Sequence, residues 1–215
     1  MLVVVLADGK SKPNHLDNHR LLTPIDGKPL LQRTIDQFSP HGTVAVLSGD
    51  PTIRKAVNPT RFLPGSDKSH LFYGADMIRK GLEQYAGPRT VIVFGDVVFT
   101  DAAVATIANH EVEDWAVYGR SKVVSDKVAP YGEYFAIEIN TNRVVDQGFK
   151  ALRTIALKHK RGEWRRCTAW EWYFEMEGLP YRIKDSKNIA VGPHWVEIND
   201  TTDDIDLPSD LERVT

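Results

Sequence analysis

Three clusters of side chains have the types and spacing for phosphate and metal chemistry. The first is a basic loop. The apolar run Leu2–Leu6 breaks at Ala7, Asp8 and Gly9, and Lys10, Lys12 and Arg20 follow before hydrophobic residues resume at Leu21. A buried strand opening into a glycine-containing basic loop offers backbone N–H groups and cations to a phosphate, although an ordinary βα turn carries the same pattern. The second cluster centres on Asp96, which follows the apolar run Val91–Phe94 and Gly95. A carboxylate just past the C-terminal end of a buried parallel strand stands where open α/β sheets bind ligands. Gly95 would let a ligand approach the backbone. Asp96 is a candidate ligand for a divalent cation that neutralises phosphate oxygens, or else a turn or cap aspartate.

The third cluster is the stretch Glu197-Ile198-Asn199-Asp200-Thr201-Thr202-Asp203-Asp204-Ile205-Asp206. Mg²⁺ or Mn²⁺ takes hard oxygen ligands, and Mg²⁺ keeps several of its waters, so one residue from this stretch with Asp96 suffices. The candidates are Asn199, Asp200 and Asp206. Asp206 also precedes Pro208 as an N-cap would, and capping and metal binding need different carboxylates.

The elements that must position these groups read as an α/β pattern, with apolar β-branched runs alternating with helix-like segments. Strands are expected at Leu2–Leu6, Thr43–Leu47, Thr90–Phe94, Asp114–Tyr118, Glu133–Ile139 and Trp195–Ile198. Helices are expected over Pro29–Phe38, His70–Tyr85, Asp101–Ala108 and Pro208–Val214, with Asp101 able to cap its own helix. Between Lys150 and Gly178 two helices break around Gly162. The Asn140-Thr141-Asn142 turn would pair Glu133–Ile139 with Arg143–Val145. Residues 51–68 show no sustained period. The expectation is one domain over residues 1–215, with a regular nucleotide-binding half to about residue 110 and a mixed acceptor half over 111–215.

A chain of 215 residues with 42% hydrophobic content is long and apolar enough for one sizeable core. A net charge of −2 supplies no global attraction to nucleic acid or membrane, so such binding would have to be local. The single cysteine, Cys167, excludes an intramolecular disulfide and reads as a small buried side chain. No run is long enough to span a bilayer, and the N-terminal run lacks a basic flank, so the chain reads as cytoplasmic.

Taken together, the segments resemble the GT-A-type nucleotidyltransferase superfamily, the MobA-like, sugar-phosphate and phosphocholine nucleotidyltransferases. Leu6-Ala7-Asp8-Gly9, then Arg20-Leu21-Leu22-Thr23-Pro24-Ile25-Asp26-Gly27-Lys28-Pro29-Leu30-Leu31, is similar to that family's opening L-A-x-G, basic loop and K-x-L-x-P-I-x-G-K-P-L-L. Val93-Phe94-Gly95-Asp96 resembles its G-D segment. Trp195–Asp200 and Asp204–Val214 resemble its closing W-x-E-I-D-D and D-I-D-x-P-x-D-L-E-x-V patterns. The resemblance implies a Rossmann-like, mostly parallel mixed sheet flanked by helices, the GT-A fold. It implies nucleotide contacts at Leu6, Ala7, Asp8, Gly9, Arg20 and Gly95, catalytic roles for Arg20, Lys10, Lys12 and Asp96, and a metal on Asp96 with Asp200, Asn199 or Asp206.

There are departures from the family pattern. Ser11 and Pro13 stand where the family has the second glycine and the arginine of G-x-G-x-R, and Arg20 replaces its lysine. Lys10 or Lys12 would supply the missing charge without arginine's bidentate fork. The implied reaction joins an NTP to a sugar phosphate or phosphoalcohol and releases pyrophosphate. The alternative is a GT-A glycosyltransferase with a nucleotide-sugar donor, whose diphosphate needs fewer loop cations.

Two further features remain. Arg153, Lys158, His159, Lys160, Arg161, Arg165 and Arg166, interleaved with Trp164, Trp170 and Trp172, would bind a nucleic-acid acceptor if the rings were exposed, and are otherwise a solvated face over inward-packed tryptophans. Tyr131–Phe135 is either a wall of the acceptor pocket or core strand, and His70 and Tyr73 either face the nucleotide or are structural.

Overall fold

Strand β1 (Leu2–Leu6) lies in parallel register between β4 (Thr43–Leu47) and β6 (Thr90–Phe94), with Val4 opposite Ala45 on one side and Ile92 on the other. Such a strand is covered on both faces, which is why its sequence is a continuous apolar run rather than an alternating one. Val3 and Val5 point to one core and Val4 and Leu6 to the other. The computed structural model describes residues 1–8, 20–65, 73–180, 189, 191–206 and 208–214. Gly9, Lys10, Lys12 and His70 lie outside the described residues.

The remaining strands are β2 (Pro24–Ile25), β3 (Lys28–Pro29), β5 (Arg61–Leu63), β7 (Val97–Val98), β8 (Trp115–Arg120), β9 (Glu133–Ile139), β10 (Trp195–Glu197) and β11 (Asp203–Asp204). The helices are α1 (Leu30–Phe38), α2 (Pro51–Ala56), α3 (Tyr73–Leu82), α4 (Asp101–Asn109), α5 (Asn142–Lys160), α6 (Ala169–Glu177) and α7 (Pro208–Val214). The main sheet runs β10-β8-β9-β6-β1-β4-β5. Only β9 runs against its neighbours, pairing antiparallel with β6 and β8. This is the mixed, mostly parallel sheet the sequence implies. Helices α1 and α4 cover the Val3/Val5 face, while α3, α5 and α6 cover the Val4/Leu6 face. No helix among the described residues is long and apolar enough to cross a membrane.

Two sequence expectations are corrected, and an open stretch is assigned. Arg143–Val145 is not a strand. It belongs to α5, a helix of 19 residues whose buried stripe is Val144, Gly148, Ala151, Leu152 and Ile155. Thr141 caps that helix by accepting from the Val144 amide at 3.3 Å, so the Asn-Thr-Asn signal marks a helix start rather than a hairpin. The cap of α4 is Thr100, which accepts from the Ala103 amide at 3.0 Å, and Asp101 sits in the first turn. The unassigned stretch 51–68 holds α2, capped by Asp50 on the Thr52 amide at 2.8 Å, and then β5.

Candidate active site

Arg20 is held from two directions. Its neighbour Leu21 is buried in the core beneath α1. The hairpin β2–β3 follows, turning at Asp26 and Gly27 with φ of 51° and 78°, and Asp-Gly is the sequence that tolerates two left-handed residues in a two-residue turn. The Leu30 amide then donates to the Thr23 carbonyl at 2.9 Å, closing the segment onto the start of α1. The spacing from Arg20 to Leu31 is therefore that of a short turn, a hairpin and a helix entry that fix one cation.

Asp96 stands beyond the end of β6, and the closing acidic stretch is stitched to it. Strand β11 pairs antiparallel with β7, Asp204 opposite Val97, and the Ile205 amide donates to the Asp96 carbonyl at 2.9 Å. This brings together groups from three distant parts of the chain. Arg20 Nη2 donates to Asp96 Oδ2 at 2.5 Å and Nη1 to Asp206 Oδ1 at 2.5 Å. Burial works against the guanidinium's charge, but Asp96, then Asp206 and Asp204, outweigh it and hold its pKa above the usual value. Such charge-assisted forks are about twice as strong as neutral hydrogen bonds.

The other acidic candidates separate by their contacts. Asp200 Oδ2 accepts from the Thr100 hydroxyl at 2.6 Å and Oδ1 from the Thr202 amide at 2.8 Å. Those contacts brace the cap of α4. Asn199 is exposed. Asp206 alone of the three shares a partner with Asp96. Asp96 and Asp206 present hard carboxylate oxygens of the kind Mg²⁺ takes, so the donor set fits such an ion. Among the described residues no group of three or more His, Cys, Asp or Glu side chains is placed to hold a metal. Water and phosphate oxygens would have to complete the shell.

The loop positions that are described serve packing as well. The Ala7 amide donates to the Leu47 carbonyl at 3.0 Å, and the Gly95 amide to the Leu6 carbonyl at 3.0 Å. A Cβ on Gly95 would stand 2.8 Å from the Leu6 carbonyl oxygen, so the glycine answers a close approach of β1. Asp8 is 1% exposed and accepts from the Gly49 amide at 3.3 Å, tying the end of β1 to the end of β4.

Two residues essential to this geometry were not singled out from sequence. Arg120 and Asp203 are both fully buried, paired at 3.0 Å. Arg120 also donates to the Thr202 carbonyl at 2.6 Å, and Asp203 accepts from the Ala129 amide at 2.6 Å. They pin the closing stretch under Asp204 and Asp206. Arg120 carries no motif, and only its place at the end of a fully buried strand distinguishes it.

The segment Tyr131–Phe135 is only partly core. Tyr131 is half-buried, and burial, followed by the charges of Asp204, Glu133, Asp210 and Asp206, raises its pKa. Tyr134 and Phe135 are core residues. In the basic block, Trp164 and Trp172 are buried, Lys158 lies over Trp164 at 4.4 Å, and the Trp172 indole donates to the Gly148 carbonyl at 3.1 Å. Those two rings are core, and they lack the free faces that stacking on bases requires.

A mostly parallel sheet with a cation and two carboxylates gathered beyond the ends of its central strands has these groups where open α/β sheets bind ligands. The chain belongs to the MobA-like NTP transferase domain family, which residues 3–153 match. Bifunctional protein GlmU of Exiguobacterium sibiricum is 26% identical over 192 residues, 75% of this chain and 42% of that protein. The GlmU of Dechloromonas aromatica is 30% identical over 107 residues, 48% of this chain and 24% of that protein. The chain thus spans less than half the length of these curated relatives. Among solved structures, 2-C-methyl-D-erythritol 4-phosphate cytidylyltransferase from Thermus thermophilus is similar with a TM-score of 0.58 at 18% identity, covering 99% of this chain and 95% of that one. The inositol-1-phosphate CTP transferase from T. maritima gives 0.57 at 12% identity, covering 99% and 94%. At these identities the structural likeness establishes the fold.

Proposed function

We propose that this chain is a divalent-cation-dependent nucleotidyltransferase that joins an NTP to a sugar phosphate or phosphoalcohol and releases pyrophosphate. The observation that carries this reading is the convergence of Asp96 and Asp206 on Arg20 at 2.5 Å each. In the reaction an acceptor phosphate oxygen forms a bond to the α-phosphorus of the NTP while the bond to pyrophosphate breaks. The acceptor is already ionised, so no general base is needed, and the protein's work is positioning and charge stabilisation. A Mg²⁺ or Mn²⁺ ion bound by Asp96 and Asp206 would supply charge neutralisation at the phosphate oxygens. Arg20 supplies a permanent cation for the same phosphates, and Lys10 and Lys12 would add charge from the loop. Tyr131 would serve as a wall for the acceptor.

The test is pyrophosphate release with each NTP, Mg²⁺ and a panel of sugar phosphates and phosphoalcohols. A burst of pyrophosphate that depends on both NTP and acceptor supports the reading. Metal-dependent breakdown of a nucleotide-sugar, with no pyrophosphate from any NTP, replaces it with the glycosyltransferase alternative.

A further inference from the structure

We propose that Arg20 is an exchangeable counter-cation, which closes the Asp96–Asp206 pair against a metal ion until nucleotide phosphates draw its guanidinium away. The inference rests on the nucleotidyltransferase reading and deepens it. Both guanidinium Nη atoms are committed, Nη2 to Asp96 Oδ2 and Nη1 to Asp206 Oδ1. The guanidinium thus takes one oxygen of each carboxylate and sets a positive charge between the two groups that would hold a divalent cation. The Arg20 side chain is 12% exposed and that of Asp96 20%, so the pairs are only partly screened by water. Arginine keeps its proton at any ordinary pH, so the fork opens only when a competing anion takes the guanidinium. A phosphate is such an anion, because its oxygens match the same planar fork.

Three consequences follow from this exchange. Metal alone binds weakly, since it must displace a paired cation. Nucleotide alone draws the Arg20 charge away from two partly buried carboxylates, which costs free energy. Nucleotide and metal together satisfy all the charges. The two ligands are then coupled, and coupling is reciprocal. The Arg20 position thereby limits binding of the metal in the absence of the substrate it serves.

The experiment is an electron paramagnetic resonance titration of Mn²⁺ without nucleotide on the wild type, Arg20→Ala, Arg20→Lys and the double variant Arg20→Ala/Asp96→Asn. Circular dichroism checks folding. The expected result is that Arg20→Ala binds Mn²⁺ roughly tenfold tighter than the wild type, within the usual range of coupling between sites. Adding Asp96→Asn removes that gain. Arg20→Lys, whose single ammonium lacks the planar fork, falls between the two and serves if the alanine variant does not fold. Unchanged or weaker Mn²⁺ binding in whichever folded variant is measured overturns the proposal. Wild-type pyrophosphate release is measured separately. Turnover without a gain in Mn²⁺ affinity defeats only the counter-cation role, whereas tighter Mn²⁺ binding without any turnover defeats only the nucleotidyltransferase reading.

Discussion

Asp96 and Asp206 lie far apart in the chain yet reach opposite nitrogens of one guanidinium, that of Arg20, each at 2.5 Å. The relationship depends on the backbone as much as on the charges. The Ile205 amide is bonded to the Asp96 carbonyl, so the two aspartates are set by one short stretch of β7–β11 pairing. Asp96→Ala is therefore expected to lower the rate of pyrophosphate release by at least about 100-fold, the scale of losing one electrostatic contact to the reacting phosphates. Its melting temperature should stay within a few degrees of the wild type, because Arg20 retains Asp206. Retained turnover in a folded Asp96→Ala protein would refute the site.

The buried Arg120–Asp203 pair has a different signature. Both side chains are fully buried, and Asp203 also accepts from Ala129 and Arg213. Asp203→Asn leaves the buried Arg120 charge without its carboxylate and should cost about 3–5 kcal/mol of unfolding free energy, and Arg120→Met should cost less, because Asp203 keeps Arg213. Urea denaturation measures this directly. A loss under about 1 kcal/mol would mean that the pair does not hold the closing stretch.

Much of this arrangement was legible in sequence because its signals are local. Val91–Phe94 running into Gly95 and Asp96 announces a strand and the carboxylate beyond it. What the sequence left open was tertiary choice. Asn199, Asp200 and Asp206 are chemically similar in an acidic stretch, and only the β7–β11 register shows that Asp206 returns to Asp96 while Asp200 turns to Thr100. The Asn140–Asn142 turn failed for a related reason. Caps and hairpin turns use the same residues, and the buried stripe from Val144 to Ile155 decided between them.

Gly95 yields a stability prediction. Its missing Cβ would meet the Leu6 carbonyl oxygen at 2.8 Å and Leu31 Cδ1 at 3.4 Å. Backbone on one side cannot yield as a side chain can, so Gly95→Ala should cost about 1–3 kcal/mol, the usual range for overpacking. Thermal unfolding reads the effect. A fully stable alanine variant would show that β6 can move away from β1 without penalty.

Cys167 is buried, and burial, reinforced by Glu171, pushes its thiol up to about 12. The thiolate is the reactive form, so at neutral pH the native thiol should resist alkylation far longer than a free cysteine. The sign with pH follows from the raised value. The folded state holds the proton more tightly than the unfolded one, so this contribution to stability is intact below the free-cysteine pKa and fades as pH rises toward 12. Iodoacetamide labelling followed by mass spectrometry, with and without urea, checks the first point, where rapid native labelling at pH 7 would contradict it, and urea denaturation at rising pH checks the second.

Asp200 and Asp206 offer the sharpest separation of bracing from chemistry. Asp200 accepts from Thr100, whose hydroxyl oxygen in turn accepts from the Ala103 amide at the start of α4. Asp200→Ala loosens that cap and should cost about 0.5–2 kcal/mol, as the loss of a helix cap does. Its pyrophosphate release should remain within a few-fold of the wild type, since neither carboxylate oxygen is directed to Arg20. Asp206→Ala removes an acid that shares Arg20 with Asp96, so its stability should change little while turnover falls with that of Asp96→Ala. Measuring melting and pyrophosphate release on both variants distinguishes the roles. If Asp200→Ala instead loses turnover and Asp206→Ala keeps it, the metal-binding partner of Asp96 is Asp200, and the Arg20 fork is only a structural clasp.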